Sequence, residues 1–454
     1  MNAGKYNLRH SLALLVAIAL LTFCSITHAE HGGRDRTERE EHHTESHSDG
    51  DRGSSREGND SREGSGRDEK HGDKDDDSKR ESGDGKDVKL RDMDSVVASA
   101  TESRISSDID FEGHARRSSE VLLVGRDEHL AALRDAGYRV ITTQRLSSLG
   151  ESIVRVRVNT GESIEQALQH LRTIVPDADI ASNHLFRASQ QPSSMADGTR
   201  RSIEANAITS NTSNTVIGII DTGADNSQDV LKVAVIDTQG LTDSGYVART
   251  HGTIVSKIAC TEGARLAVAD VFGVDNESHL VAPADAIARA VDWLLAKHVL
   301  LINVSIEGPD NAVLAHVIRR AIAQGAVIVA AAGNSGPAAP AAFPAAYPGV
   351  IAVTAVDENN NVYPRANRGQ YIAFAARGVR VPVSDGAARG MVSGTSFAAP
   401  IVTAEIARRF ATSPGNVNSV LESMKHDAVD LGTTGRDNVY GWGLIRPPAS
   451  TTQH

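Results

Sequence analysis

Apolar positions are distributed very unevenly along this chain. An early run, Leu12–Cys24, holds 13 largely apolar residues. From Glu30 to Asp87, 58 consecutive residues contain no Ala, Val, Ile, Leu, Met, Phe, Trp, Tyr or Cys. Such a stretch cannot bury enough apolar surface to offset chain entropy, so it reads as a disordered arm. Residues 88–118 regain a few apolar positions without a clear period and read as its continuation. Periodicity begins near Ser119. Glu120–Val124 predicts a strand, Asp127–Ala136 a short helix stopped by Gly137, and Tyr138–Thr142 and Ser152–Val158 two more strands. Ser163 opens a helix with Ile164, Ala167, Leu168 and Leu171 at helical spacing, and an extended run follows Asp177. This βαββαβ order over 119–189 predicts a ferredoxin-like sandwich, two helices on one antiparallel sheet.

Residues 190–213 are polar and rich in Ser, Asn and Thr, and read as a linker. The pattern then changes. Thr215–Ile220, Leu231–Ile236, Arg265–Val271, Leu300–Val304 and Gly325–Ala330 are short apolar runs, each predicting a strand. Helical stretches lie between them at His251–Ala259, Pro283–Lys297 and Asn311–Ala323. Apolar strands alternating with helices predict an α/β fold, a parallel sheet covered on both faces, over 214–447, with a tail at 448–454. In such folds the chemistry gathers beyond the carboxyl ends of the strands.

Charge and cysteine content narrow the picture. The formal net charge is −11, and the arm at 30–87, with 20 acidic and 12 basic side chains, carries −8 of it. The ordered part is only mildly acidic, which gives no support to a nucleic-acid partner. Lys5, Arg9 and His10 before Leu12–Cys24, then Thr27-His28-Ala29, describe a secretory signal peptide over 1–29. Its core is well short of the ~20 residues that span a bilayer, so a membrane is met only if that peptide stays uncleaved. The expected location is periplasmic, cell-surface or extracellular. After the signal only Cys260 remains, so no intrachain disulfide is available. The arm's His31, His42, His43, His47 and His71 lack regular ligand spacing. A metal-binding module acting through that arm is a rival reading, weaker than a solvated spacer.

Three segments stand at strand ends. I-G-I-I-D-T-G-A-D puts Asp221 at a carboxyl edge, T-H-G-T-I-V puts His251 in a helix's first turn, and V-S-G-T-S-F-A-A-P-I-V puts Ser396 at a helix start. Acyl transfer by serine needs a base for the hydroxyl proton and a carboxylate to fix and stabilise the imidazole. A fourth segment, V-I-V-A-A-A-G-N-S-G-P, offers Asn334 as an amide donor toward a tetrahedral oxyanion. Asp237, in V-A-V-I-D-T-Q-G, is the decoy acid: it lacks the D-T-G turn and follows the second strand.

These motifs, in the order Asp, His, Asn, Ser, resemble the subtilisin-like serine proteases from Asn214 to about Pro447, and 119–189 resembles the family's inhibitory propeptide. The resemblance implies an exported serine endopeptidase made as a precursor, acting on protein or peptide substrates, with its own propeptide as intramolecular inhibitor. It assigns Asp221, His251 and Ser396 to the triad and Asn334 to the oxyanion. It makes Ser305, Ile306, Glu307 and Gly308, in I-N-V-S-I-E-G-P, the strand that pairs with substrate. No cofactor is required for this chemistry. No Asp/Asn run resembles a calcium loop, and the sequence leaves calcium open. Two departures stand out: Ile254 and Lys257 replace the His and Gly that usually follow the catalytic His, and Glu307 stands where a second glycine is usual. A carboxylate there implies either a taste for basic substrates or, more simply, a side chain facing solvent or narrowing the pocket. Arg200-Arg201 is the expected maturation site if the enzyme cuts at basic residues. A catalytically silent binding protein of the same fold is the other rival.

Overall fold

The computed structural model describes residues 103–188, 215–227, 230–260, 264–385, 388–412 and 416–446. The expected signal at 1–29, most of the arm and linker at 30–118, the linker at 190–213 with Arg200-Arg201, and the tail lie outside the described residues. All described residues belong to one compact unit, Gly83–His454.

Its first portion contains β1 (Arg104–Ile105), β2 (Ser107–Ile109), β3 (Ala115–Gly125), α1 (Asp127–Asp135), β4 (Arg139–Leu146), β5 (Glu151–Arg157), α2 (Ile164–Ile174) and β6 (Asp179–Ala188). The strands run β6-β3-β5-β4, every neighbouring pair antiparallel. This is the predicted ferredoxin-like sheet. Gly137, with φ +84, ends the α1 turn where a left-handed residue is needed. Ser163 caps α2 by accepting from the Gln166 N–H, while Gln166 reaches back to the Ser163 N–H. Order starts earlier than the pattern predicts. Residues 104–118, expected as linker, form β1, β2 and the start of β3, because their partners are distant: β1 pairs with Val274 and Asp275, and Ile105 is buried against Leu185 and Val281.

The larger portion contains β7 (Val216–Asp221), α3 (Leu231–Ala234), β8 (Val235–Gly240), α4 (Thr250–Ala259), β9 (Arg265–Asp270), β10 (Gly273–Asp275), β11 (Leu280–Pro283), α5 (Ala284–Ala296), β12 (Leu301–Val304), β13 (Ile306–Glu307), α6 (Ala312–Ala323), β14 (Val327–Ala331), β15 (Ile351–Val356), β16 (Ile372–Arg377), β17 (Val381–Asp385), β18 (Ala388–Val392), α7 (Thr395–Thr412) and α8 (Val417–Asp427). Seven strands form a parallel sheet in the order β16-β15-β14-β12-β7-β9-β8. Side chains alternate between two cores. Ile217 and Ile219 of β7 and Leu266 and Val268 of β9 face α4 and α7. Ile220, Ala267 and Ala269 face α5 and α6. Both faces are covered, which is why these strands read as unbroken apolar runs.

One expected strand is corrected. Leu231–Ile236 divides into the single turn α3 and the start of β8. Leu231 and Ala234 are buried at helical spacing, whereas Val233 is 70% exposed. An apolar run so short does not separate helix from strand by composition.

The two portions also join more closely than two separate domains. In β3, Val121 and Leu123 pack under α1 and α2, while Leu122 and Val124 pack on the α5/α6 side. The central strand β3 is therefore covered on both faces. The last four residues of β6 continue beyond β3: Leu185 and Phe186 pair with β11, and Arg187 and Ala188 pair with β13.

Candidate active site

Progress along the large sheet reverses at β7: β8 and β9 lie on one side, β12, β14, β15 and β16 on the other. Loops diverge at such a point and leave a crevice beyond the carboxyl ends. Asp221 ends β7 there, fully buried. Its Oδ1 accepts from the Thr222 N–H at 2.6 Å and lies 2.6 Å from His251 Nδ1. That bond assigns the ring proton to Nδ1 and leaves Nε2 as the acceptor. Nε2 is buried and makes no hydrogen bond within the protein.

Two glycines make this approach feasible. A Cβ on Gly252 would sit 2.1 Å from the Thr222 carbonyl oxygen, and one on Gly223 would sit 2.5 Å from the Val247 carbonyl oxygen. The Gly252 N–H donates to Thr222 Oγ1 at 2.9 Å, which ties the first turn of α4 to the end of β7. D-T-G and H-G-T are thus two halves of one close contact. Behind it, Ile254 is buried among the α4/α7 core residues, so the departure at that position is absorbed by packing.

Ser396 lies in the first turn of α7 and is fully buried. The ring of the next residue, Phe397, is 5.3 Å from the His251 ring, so α4 and α7 present their first turns to each other. Pro400 is inside α7, four residues after Ser396. It has no N–H to give the Ser396 carbonyl. That oxygen instead accepts from Ser305 Oγ at 3.0 Å. Ser305 Oγ accepts in turn from Asn303 Nδ2 at 2.9 Å, and Asn303 Oδ1 accepts from Thr403 Oγ1 at 3.1 Å. The chain Thr403–Asn303–Ser305 anchors the serine's own backbone.

Asn334 follows β14. Its Oδ1 accepts from both the N–H and the hydroxyl of Thr395, each at 3.1 Å, and Thr395 Oγ1 also accepts from the Gly333 N–H at 3.2 Å. This fixes the amide so that Nδ2 is the free end, buried and without a hydrogen bond in the protein. His251 Nε2 and Asn334 Nδ2, in the region where Ser396 starts its helix, and the second oxygen of Asp221, Oδ2, are therefore buried without a hydrogen bond within the protein. Burial without a partner is costly for a polar group, and catalytic centres are where such costs are retained.

Glu307 does not face solvent. Its Oε2 accepts from the Asn334 N–H at 2.6 Å. Burial pushes its carboxyl up from the usual range, while the Asn334 N–H, Arg187 and Arg365 pull it down. Ile306 is fully buried, and Gly308 exchanges two backbone hydrogen bonds with Phe343, each 3.0 Å. A Cβ on Gly308 would overlap Phe186 of β6.

Sequence reasoning missed several supporting residues. Asn303 and Thr403 carried the signal of a polar residue within an apolar run, and Thr395 directly precedes Ser396. Asp270, at the end of β9, is in register with Asp221. It is fully buried and accepts from the Val247 N–H at 2.8 Å and the Phe272 N–H at 3.1 Å, with Arg249 NH1 at 3.8 Å. Burial pushes it up to about 7 against those partners. Asp237 lies elsewhere, in edge strand β8, paired with Lys297 Nζ at 2.6 Å. Cys260 caps α4, and burial pushes its thiol up to about 12, so it is inert near neutrality. Among the described residues, Glu128, His129 and Asp177 are the one group placed to share a metal ion. It sits in the small portion, and His129 Nδ1 accepts from the Arg126 N–H, which keeps the ring proton on Nε2 toward Asp177.

The family model described as Peptidase S8, the subtilase family, matches residues 212–443. The chain is 31% identical to the minor extracellular protease Epr of Bacillus subtilis (strain 168) over 254 residues, 53% of this chain and 39% of that protein. It is 28% identical to subtilisin BL of Lederbergia lenta over 249 residues, 52% of this chain and 90% of that protein. Subtilisin amylosacchariticus of Bacillus subtilis subsp. amylosacchariticus is 26% identical over 348 residues, 72% of this chain and 89% of that protein. Among solved structures, fervidolysin from Fervidobacterium pennivorans, a keratinolytic enzyme related to subtilisin, superposes with a TM-score of 0.59 at 18% identity. That superposition covers 79% of this chain and 63% of that one. At this identity the likeness is one of fold.

Proposed function

The chain belongs to the subtilase family of serine peptidases, and we propose that it is an exported serine endopeptidase, made as a precursor, that works through Asp221, His251 and Ser396. The observation that carries this reading is the 2.6 Å His251–Asp221 bond, which leaves a buried, unpaired Nε2 beside the first turn of α7. His251 Nε2 takes the Ser396 hydroxyl proton as Oγ attacks a peptide carbonyl, then gives it to the leaving amine. Asp221 holds the imidazole in the required tautomer and stabilises its cation. Asn334 Nδ2 and the Ser396 N–H receive the oxyanion, with the Asn334 amide already oriented by Thr395. Water then hydrolyses the acyl-serine by the same path.

The precursor reading rests on β6. Its last residues pair antiparallel with β11 and β13, as a bound peptide does when it adds a strand to a groove. A segment held there excludes substrate until it is cut. The 72% coverage of this chain by one subtilisin, beyond the 212–443 match, supports that reading. The relative named an extracellular protease and the signal-like N-terminus support export.

A serine-directed phosphonate probe tests the mechanism. Processed wild-type protein should be labelled at Ser396 and Ser396→Ala should not. No labelling of the wild type would defeat the proposal in favour of a silent binding protein.

A further inference from the structure

We propose that Glu307 closes the cleft beside the scissile carbonyl and makes this enzyme cut after small side chains. The inference rests on the proteolytic reading and specifies its substrate. The register places Ala188 opposite Ile306 and Arg187 opposite Glu307. A bound peptide continuing this register would bring its next residue opposite Ser305, whose hydroxyl donates to the carbonyl of Ser396. A peptide in this groove therefore delivers that residue's carbonyl to the nucleophile. Across an antiparallel pair, opposed side chains share a face, and residues two apart along a strand share it too. The side chain of the residue opposite Ser305 thus points to the same face as Glu307.

That face is already spanned. The Glu307 side chain leaves β13 and ends on the Asn334 N–H at 2.6 Å, crossing from one wall of the cleft to the loop after β14. It passes so near Gly333 that a Cβ there would lie 2.9 Å from Oε2. With glycine at 307 the space between β13 and Gly333 would be open; with glutamate it is bridged by a side chain whose carboxylate is held by the Asn334 N–H. A large apolar side chain entering there displaces the carboxylate from its N–H and buries it unpaired, which is costly. Ala, Ser or Gly needs no displacement. Glu307 also holds Asn334, so its removal lowers turnover on every peptide. The informative readout is therefore a ratio.

The test is a peptide series, with Ala, Ser, Leu, Phe, Arg or Lys before the cut, given to processed wild type, Glu307→Gly and Glu307→Gln. Wild type should favour Ala over Phe in kcat/KM by about tenfold or more, the range a pocket achieves on side-chain size. Glu307→Gly should reduce that ratio at least about tenfold. Glu307→Gln, with the same shape and no charge, should keep it. A wild type that prefers Phe or Leu, or an unchanged ratio in Glu307→Gly, overturns the proposal. So does a wild type that prefers Arg or Lys and loses that preference in Glu307→Gln, because Glu307 then selects by charge. If Glu307→Gly fails to fold, the wild-type profile and Glu307→Gln decide alone. A wild type that cuts no peptide and takes no phosphonate fails the proteolytic reading itself, and the preference with it.

Discussion

On the proposed mechanism, Asn334 is a side chain prepared for chemistry before substrate arrives. Thr395 fixes its Oδ1 twice, and Glu307 fixes its backbone N–H, so Nδ2 needs no reorganisation when charge develops on the carbonyl oxygen. Asn334→Ala should therefore lower kcat by ~10²–10³ with KM little changed, the usual loss for one oxyanion donor. A fall in kcat/KM carried by KM alone would mean that Asn334 binds ground-state substrate instead. Asp270 makes a different residue-scale prediction. Its carboxyl titrates from 3.8 when unfolded to about 7 when folded. Between those values the native state holds a proton the unfolded chain has released, so stability falls as pH rises from about 4 to about 7 and is flat above. At about 1.4 kcal/mol per unit, the contribution amounts to roughly 4 kcal/mol. In a Ser396→Ala background, which prevents self-digestion, the denaturant stability of the Asp270 protein minus that of Asp270→Asn should shrink by about this amount across the window. A difference that stays constant with pH would remove the assignment.

At the scale of elements, what the sequence displayed well was whatever is local. Glycine at φ +84 after α1, the Ser163–Gln166 box before α2, and the strand–helix alternation from β7 to β14 rest on near neighbours, and their boundaries came within a few residues. What it concealed depends on partners far along the chain. β1 exists because Val274 and Asp275 offer it an edge, and nothing in Arg104-Ile105 announces that. The α3/β8 division was hidden because five apolar residues in a run of six fit both periods. Contact between the two portions was equally illegible. Asp292, on α5, accepts the N–H groups of Ser147 at 3.0 Å and Ser148 at 2.8 Å in the turn between β4 and β5. His316 of α6 bridges Glu151 at 2.7 Å and Asp179 at 2.6 Å. Asp292→Ala takes the acceptor from two N–H groups, on exposed Ser147 and half-buried Ser148, weakening the docking by roughly 1–3 kcal/mol. After processing, active enzyme should then appear about tenfold to a hundredfold sooner than in wild type. Identical activation times would show that Asp292 contributes nothing to holding the two portions together.

The whole molecule is organised around one strand that belongs to both portions. β6 is the edge of the small sheet through Asp179–Ser182, then a guest in the cleft of the large one through Leu185–Ala188. The four chemical motifs were readable from the sequence because each is a short string whose glycines and small residues are dictated by close approach at Thr222, Val247 and Gly333. The role of Glu307 was not, because it depends on where its carboxylate ends. On the precursor reading, this arrangement also revises where the chain should open. A basic pair at Arg200-Arg201 suggests a cut there, on the premise that Glu307 selects basic side chains. The register of β6 argues otherwise: with Ala188 opposite Ile306, continuing that pairing beyond the described residues would bring position 189 opposite Ser305, which holds the carbonyl of Ser396. The first cut should therefore fall beside Ser189, well ahead of the basic pair. Intact masses of the wild-type protein and Ser396→Ala, expressed in parallel, decide the matter. The wild type should yield a catalytic fragment beginning at or next to Gln190, and Ser396→Ala should remain joined across that bond. A wild-type fragment starting after Arg201, with the bond at Ser189 intact in the released piece, would mean that β6 occupies the cleft in a register from which it is not cut.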